Sequence, residues 1–131
     1  MVCTVGINYD SPVEIAGFLK ENGLWLKKRF GQNFLVNPGV RRKLIELLRL
    51  SGEEWVWEIG PGIGSLTAGL LEYSRRLQVF EIDRGLVRVL TELFPGLSII
   101  EGDVIDTWPG VCASNGVPDR VFGNLPYSSS S

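Results

Sequence analysis

Five residues, Gly60-Pro61-Gly62-Ile63-Gly64, constrain this chain more than any other stretch. They follow directly on Trp55-Val56-Trp57-Glu58-Ile59, an aromatic and β-branched run that reads as a strand. They open onto Ser65 to Tyr73, where Leu66, Leu70 and Leu71 fall on one helical face. Passing from strand to helix in so few residues needs backbone angles that glycine adopts freely and other residues do not. In α/β folds such a turn sits at the carboxyl end of the first strand and lets a ligand approach the backbone closely. The spacing here is G-x-G-x-G, not the G-x-G-x-x-G of dinucleotide-binding folds, and Pro61 removes a donor that a pyrophosphate would use. Taken alone, the turn also admits a plain connection that binds nothing.

The rest of the chain repeats the alternation. Leu77–Ile82 reads as a second strand, Leu86–Phe94 as a helix and Leu97–Ile100 as a third strand. A stretch punctuated by Gly and Pro then leads to a fourth strand, Arg120–Gly123. Strands alternating with helices predict parallel βαβ units, hence an α/β fold with a doubly wound, Rossmann-like parallel sheet. Upstream, Ser11-Pro12-Val13-Glu14 combines an N-cap, a first-turn proline and a capping-box glutamate. The helix it opens carries Val13, Ile15, Phe18 and Leu19 and stops at Asn22-Gly23. Asn37-Pro38 starts another, with Leu44, Ile45, Leu47 and Leu48 as its stripe, ending before Ser51-Gly52. A basic and aromatic loop, Leu26 to Leu35, joins the two. The expected division is therefore residues 1–52, N-terminal helices with a basic loop, and residues 53–131, the first half of the α/β domain. A sheet whose fourth strand leaves an open edge is rare in native proteins. The chain is thus expected to be truncated after that strand, the N-terminal part of a longer fold.

Composition narrows the chemistry. The 131 residues include no histidine, which excludes a Ser-His-Asp triad, a Cys-His pair and an imidazole-ligated zinc site. No metal is expected. Carboxylates, amides, backbone groups or an organic cofactor must carry any reaction. Cys3 and Cys112 form no Cys-x-x-Cys spacing and read as reduced thiols. The first ten residues lack the basic start and apolar core of a signal peptide, and no apolar run approaches the roughly 20 residues that span a membrane. A cytoplasmic location without membrane contact is expected. Charge is uneven: eight basic and four acidic residues precede position 51, and five arginines and eleven acidic residues follow it. A basic N-terminal segment on an acidic body admits either a polyanion-facing arm or ordinary solvated helices.

Three acidic or amide positions converge on the glycine turn. Glu81 closes the second strand about 20 residues after the glycines, where an acidic side chain can accept both hydroxyls of a ribose. Asp103, after Gly102, is a further acceptor at the same sheet edge. Gly123-Asn124-Leu125-Pro126-Tyr127 ends the fourth strand. Methylating an exocyclic amine needs acceptors for its N–H groups while the lone pair turns towards the methyl donor. The Asn124 side-chain oxygen is one, and Pro126 holds Leu125 extended so that its carbonyl can be the second. Tyr127 offers a face on which an unstacked base can lie. Each feature alone has a bland reading as a solvated charge or a turn; together they point to nucleoside binding and amine methylation.

These residues carry a resemblance. Lys28-Arg29-Phe30-Gly31-Gln32-Asn33-Phe34-Leu35, Glu58 to Thr67 through the glycine turn, Glu81-Ile82-Asp83, Gly102-Asp103 and Phe122 to Tyr127 resemble, in order, the motifs of the ribosomal RNA adenine N6,N6-dimethyltransferase family. The match runs over roughly residues 12–131. The resemblance implies S-adenosyl-L-methionine as cofactor and dimethylation at N6 of two adjacent adenines near the 3′ end of small-subunit (16S) rRNA, in ribosome biogenesis. By position it implies cofactor contacts from Asn33, Leu35, Gly60, Gly62, Gly64, Glu81, Asp103 and Asn124, with Glu58 orienting the cofactor's ammonium group. It implies a catalytic base pocket of Asn124, Leu125, Pro126 and Tyr127, and phosphate contacts from Lys27, Lys28 and Arg29. The partner implied is small-subunit rRNA or the pre-ribosomal small subunit. Family members continue past the NLPY segment into further strands and a helical C-terminal RNA-binding domain, absent here, so this chain alone is expected to be inactive on rRNA. Three other readings share parts of the pattern: a large-subunit rRNA adenine methyltransferase conferring macrolide resistance, a non-catalytic ribosome-assembly or RNA-binding factor, and an NAD-dependent enzyme. Pro61, the glycine spacing and the NLPY segment weigh against the last.

Overall fold

The computed structural model describes residues 6–24 and 38–123. Four strands, β1 (Trp55–Ile59), β2 (Arg76–Glu81), β3 (Ser98–Glu101) and β4 (Arg120–Gly123), form one parallel sheet in the order β3-β2-β1-β4. From β1 the chain builds outward through β2 to β3, then crosses back to lay β4 on the other side of β1. That reversal is the switch point of a doubly wound sheet, where ligands bind outside the carboxyl ends of the strands. The register sets Glu58 beside Val79 and Phe122, and Ile59 beside Phe80 and Gly123.

Alternation along the strands sorts the core onto two faces. Val56, Leu77 and Val79 pack with Leu66 and Leu70 of α3 (Ser65–Leu70) and Ile45 of α2 (Pro38–Leu47). On the opposite face Trp55, Trp57 and Phe80 pack against Val104, Val111 and Cys112 of α5 (Val104–Asn115). The Trp55 and Trp57 rings meet edge to face at 5.8 Å, and Trp57 meets Phe80 at 4.7 Å. Both indole N–H groups donate to the Gln78 Oε1 atom, at 3.1 and 3.2 Å, and the Gln78 amide donates to Ser98. This satisfies polar atoms that burial would otherwise orphan. α4 (Arg84–Leu93) lies along β2 and β3, burying Leu86, Val89, Leu90 and Leu93.

α1 (Pro12–Glu21) starts as its sequence predicts, with Ser11 Oγ accepting from the Glu14 amide and Pro12 in the first turn. The reciprocal half of the capping box is not made: the Glu14 carboxylate accepts from the Asn8 amide, because Asn8 folds back to the helix start. At the other end Gly23 adopts φ +68°, its amide donates to Lys20 and the Leu24 amide donates to Leu19. This is a Schellman stop. Leu19 and Leu24 then join Ile15, Ile63 and Leu86, which seats α1 on the glycine turn and the start of α4.

The structure departs from the sequence reading in several places. α3 is shorter than Ser65–Tyr73: the Glu72 and Tyr73 amides bond three residues back, to Gly69 and Leu70, so the last turn tightens and leaves Leu71 40% exposed. Leu47, placed in the α2 stripe, is also exposed, whereas Ile45 of that stripe is buried. The stretch between β3 and β4 is a helix, α5, despite Pro109 inside it. Asp103 caps it, and no residue of α5 is buried, so water can replace the donor that Pro109 withholds from the Ile105 carbonyl. The strand limits shift by one residue at β2 and β3.

Candidate functional site

Gly60, Gly62 and Gly64 all have left-handed backbones, with φ of +72°, +63° and +91°. A β-carbon at any of the three would be strained, so glycine is required there for conformation alone. The Gly60 amide donates to the Phe80 carbonyl at 2.9 Å, which prolongs the β1–β2 ladder into the turn. Ile63 is fully buried, and its carbonyl accepts the Tyr9 hydroxyl at 2.6 Å. Tyr9 is held in turn by Arg41, which donates to the Tyr9 carbonyl and pairs with Asp10. Gly64 has a second reason for lacking a side chain: a β-carbon there would stand 2.4 Å from Phe94 Cε2 and 3.2 Å from the Tyr9 hydroxyl. The third glycine thus serves helix packing as well as the turn.

Glu81 ends β2 with its carboxylate turned back to the glycines. Oε1 accepts from the Gly62 amide at 3.4 Å and Oε2 from the Asp83 amide at 3.0 Å. Burial pushes this carboxyl above its ordinary pKa, while the Asp83 and Gly62 amides pull against the shift. The amides therefore orient two oxygens that keep further lone pairs for a ligand. The Gly102 amide donates to the Glu81 carbonyl at 2.9 Å, so the ends of β2 and β3 are tied together. Asp103 follows at once, and its Oδ1 accepts from the Ile105 amide as the N-cap of α5. Asp103, expected from the sequence as a ligand acceptor at the sheet edge, is in the structure the N-cap of α5.

Glu58 lies beneath the turn. It is 1% exposed, Oε1 accepts the Thr67 hydroxyl, and Oε2 has no hydrogen-bond partner. Burial, more than the proximity of Glu81, pushes its carboxyl up to about 7.

The structure therefore brings Gly60, Gly62, Gly64, Glu81 and Asp103 to one edge of the sheet, with Glu58 under them. Asn33, Leu35, Asn124, Leu125, Pro126 and Tyr127, and the basic residues Lys27, Lys28 and Arg29, lie outside the described residues. Tyr9, Arg41 and Thr67 support the turn and are not evident from the sequence. Only tertiary contacts 54 and 32 residues apart reveal the first two, and these leave no local pattern in the sequence. Thr67 does sit in the motif, nine residues from Glu58, but nothing in its spacing tells a buried hydroxyl partner from an ordinary helix residue. A cavity of about 970 Å³ opens at the opposite, amino edge beside Trp55, Arg76 and Ser98, and contains none of the predicted site residues. Among the described residues no cluster of His, Cys, Asp or Glu could hold a metal ion, and no helix is long and apolar enough to cross a membrane.

A parallel sheet with a glycine turn after β1, an acidic residue ending β2 and a reversed fourth strand defines a Rossmann-like domain of the methyltransferase class. A structure from Pyrococcus horikoshii, assigned to an RNA methyltransferase, has the same fold with a TM-score of 0.54 and 28% identity, over 70% of this chain and 44% of that one. More particularly, the chain belongs to the ribosomal RNA adenine dimethylase family, whose model matches residues 23–131. Among curated relatives it is 48% identical to ribosomal RNA small subunit methyltransferase A of Treponema pallidum over 122 residues, and 42% identical to that of Treponema denticola over 126. The alignments cover 92% of this chain, but it spans only 42% and 43% of the length of these relatives.

Proposed function

We propose that this chain carries the cofactor-binding half of an enzyme that uses S-adenosyl-L-methionine to dimethylate N6 of two adjacent adenines near the 3′ end of small-subunit rRNA during ribosome biogenesis. The observation that carries the reading is the Glu81 carboxylate, held by two backbone amides against the glycine turn in a chain of this family. The name of the relatives favours the small subunit over the large as the source of substrate.

The groups present fit the cofactor. Glu81 offers oriented acceptors for vicinal ribose hydroxyls, the left-handed glycines leave backbone open to close approach, and Glu58 Oε2 is a buried acceptor without a partner. When bound, the cofactor supplies an electrophilic methyl group on a sulfonium. Gly60, Gly62 and Gly64 would line its amino-acid end, and Asp103 would face the adenine amine. Asn33 and Leu35 of the N-terminal loop would contact it.

On the substrate side, the Asn124 oxygen and the Leu125 carbonyl would accept the N6 hydrogens and expose the nitrogen lone pair. Tyr127 would stack on the base, with Pro126 keeping Leu125 extended. The amine proton can leave after transfer, so no side-chain base is required, in keeping with a chain without histidine. Catalysis would rest on positioning and electrostatics. Lys27, Lys28 and Arg29 would meet RNA phosphates near the pocket mouth, in the cytoplasm. Equilibrium dialysis of the chain against S-adenosylmethionine and NAD tests the reading. Retention of the sulfonium alone is expected; retention of NAD instead would overturn it.

A further inference from the structure

Glycine at three of five positions leaves the turn between β1 and α3 many accessible shapes, so its surroundings must select one. Its first half is tied to β2, the Gly60 amide to the Phe80 carbonyl and the Gly62 amide to the Glu81 carboxylate. The Ile63–Gly64 peptide is held separately. Its carbonyl accepts the Tyr9 hydroxyl at 2.6 Å, and its amide donates to the Pro61 carbonyl at 3.0 Å. A peptide is a rigid plane, so bonds at its two opposite edges fix Ile63 ψ and Gly64 φ together. Without the hydroxyl that plane can turn over, because Gly64 takes a negative φ as readily as its observed +91°. Ile63 is fully buried, so water cannot stand in for the tyrosine. Tyr9 is itself anchored from two sides. The Ser11 amide donates to the Asn8 carbonyl, the Asp10 amide to the Asn8 side chain, and the Asn8 amide to Glu14 of α1. From α2, Arg41 donates to the Tyr9 carbonyl at 3.4 Å and pairs with Asp10. The hydroxyl is therefore a donor fixed from outside the turn.

We propose that Tyr9 is a positioning residue for the cofactor: its hydroxyl, acting through the Ile63 carbonyl, holds the glycine turn in the shape that receives the cofactor's amino-acid end. The proposal rests on the cofactor reading above and deepens it. Tyr9 touches no ligand atom in this scheme. It stops the Ile63–Gly64 peptide from rotating, so the order that the ligand needs is present before it arrives and is not drawn from its binding energy. The ribose hydroxyls would meet Glu81 instead. That carboxylate is also held by the Asp83 amide, and the Glu81 carbonyl is tied to Gly102. The effect of Tyr9 therefore divides between the two parts of the ligand.

The test is calorimetric titration of the full chain and of Tyr9→Phe, which removes the hydroxyl and keeps the ring, with two ligands. S-adenosylmethionine carries the amino-acid arm; 5′-methylthioadenosine keeps the ribose and adenine without it. Tyr9→Phe should bind S-adenosylmethionine about tenfold more weakly than the parent, and methylthioadenosine within about twofold of it. Gln78→Leu, on the aromatic face of the sheet, is the control for lost stability and should leave both affinities unchanged. Loss of affinity for both ligands alike in Tyr9→Phe would reduce the tyrosine to a general support, and loss for neither would remove it from the site. Either result would overturn the proposal while leaving the cofactor reading standing; no binding of S-adenosylmethionine by the folded parent chain would overturn both. If Tyr9→Phe does not fold, Arg41→Gln carries the test, because it loosens the same tyrosine through its carbonyl. A smaller loss confined to S-adenosylmethionine is then expected, and equal losses or none would overturn the proposal.

Discussion

Single residues in the glycine turn answer to two separate demands, conformation and space. Gly64 and Gly96 both have left-handed backbones, φ +91° and +87°, but a β-carbon at Gly64 would strike the Phe94 ring while nothing lies within 4 Å of one at Gly96. Gly96→Ala should therefore cost only the backbone strain, about 1 kcal/mol, and Gly64→Ala an added 1–3 kcal/mol or so for overpacking. Denaturant melts of the two variants check this; equal losses would mean that Phe94 moves aside freely. Glu58 sets a pH dependence of the ligand-free chain. Its carboxyl stands at about 7 in the fold against an ordinary 4.5, so the folded state holds the proton more tightly than the unfolded chain. Stability is then full below pH 4.5 and is lost as pH rises through about 7. The loss should be of order 3 kcal/mol at most, and Glu58→Gln should flatten it in melts taken from pH 4 to pH 8. At this scale the sequence is informative where chemistry forces a residue type. Glycines at positive φ and an acid at a strand end can be read from spacing, but the partner of a buried carboxyl, Thr67, can be recognised only once β1 and α3 are packed.

Elements are legible in proportion to how local their causes are. Ser11-Pro12 and Gly23 start and stop α1 through hydrogen bonds within a few residues, and the sequence marks both ends. α5 escapes a sequence reading because Pro109 and Gly110 argue against a helix, whereas the Asp103 cap that argues for one reads equally well as a ligand acceptor. Leu71 reads as inward only if helical spacing is extended through a turn that in fact tightens. The aromatic face of the sheet has its own dependence. Both indoles donate to Gln78, and Trp55 and Trp57 are only 6% and 5% exposed. Gln78→Leu keeps the side chain's bulk but should strand two buried donors, at a cost of about 2–4 kcal/mol in a denaturant melt. A near-neutral result would show that both indoles reach water.

For the whole molecule, the order β3-β2-β1-β4 sets the glycine turn, Glu81 and Asp103 along one carboxyl edge of the sheet. Sequence alternation already implies a parallel sheet, whereas the return of the chain to lay β4 beside β1 is seen only in the fold. The uneven charge is a property of the same scale. Reversing charge at Lys27, Lys28 and Arg29 should weaken RNA binding and reduce the slope of log affinity against log salt by roughly 0.7–0.9 for each phosphate no longer neutralised. Binding measured by filter retention at several salt concentrations checks this; an unchanged slope would remove these residues from the RNA interface. The support given to the turn by Tyr9 and Arg41 shows what stays illegible in the sequence: residues 54 and 32 positions apart that only the fold brings together.

The central claim is that Glu81 and the glycine turn form a cofactor crevice, and calorimetric binding of S-adenosylmethionine to this chain and to Glu81→Ala tests it most directly. Two hydrogen bonds to a carboxylate are at stake, so saturable binding by the parent chain and at least about tenfold weaker binding by the variant are expected. Equal affinities, or no binding by a chain shown to be folded by circular dichroism, would contradict the account.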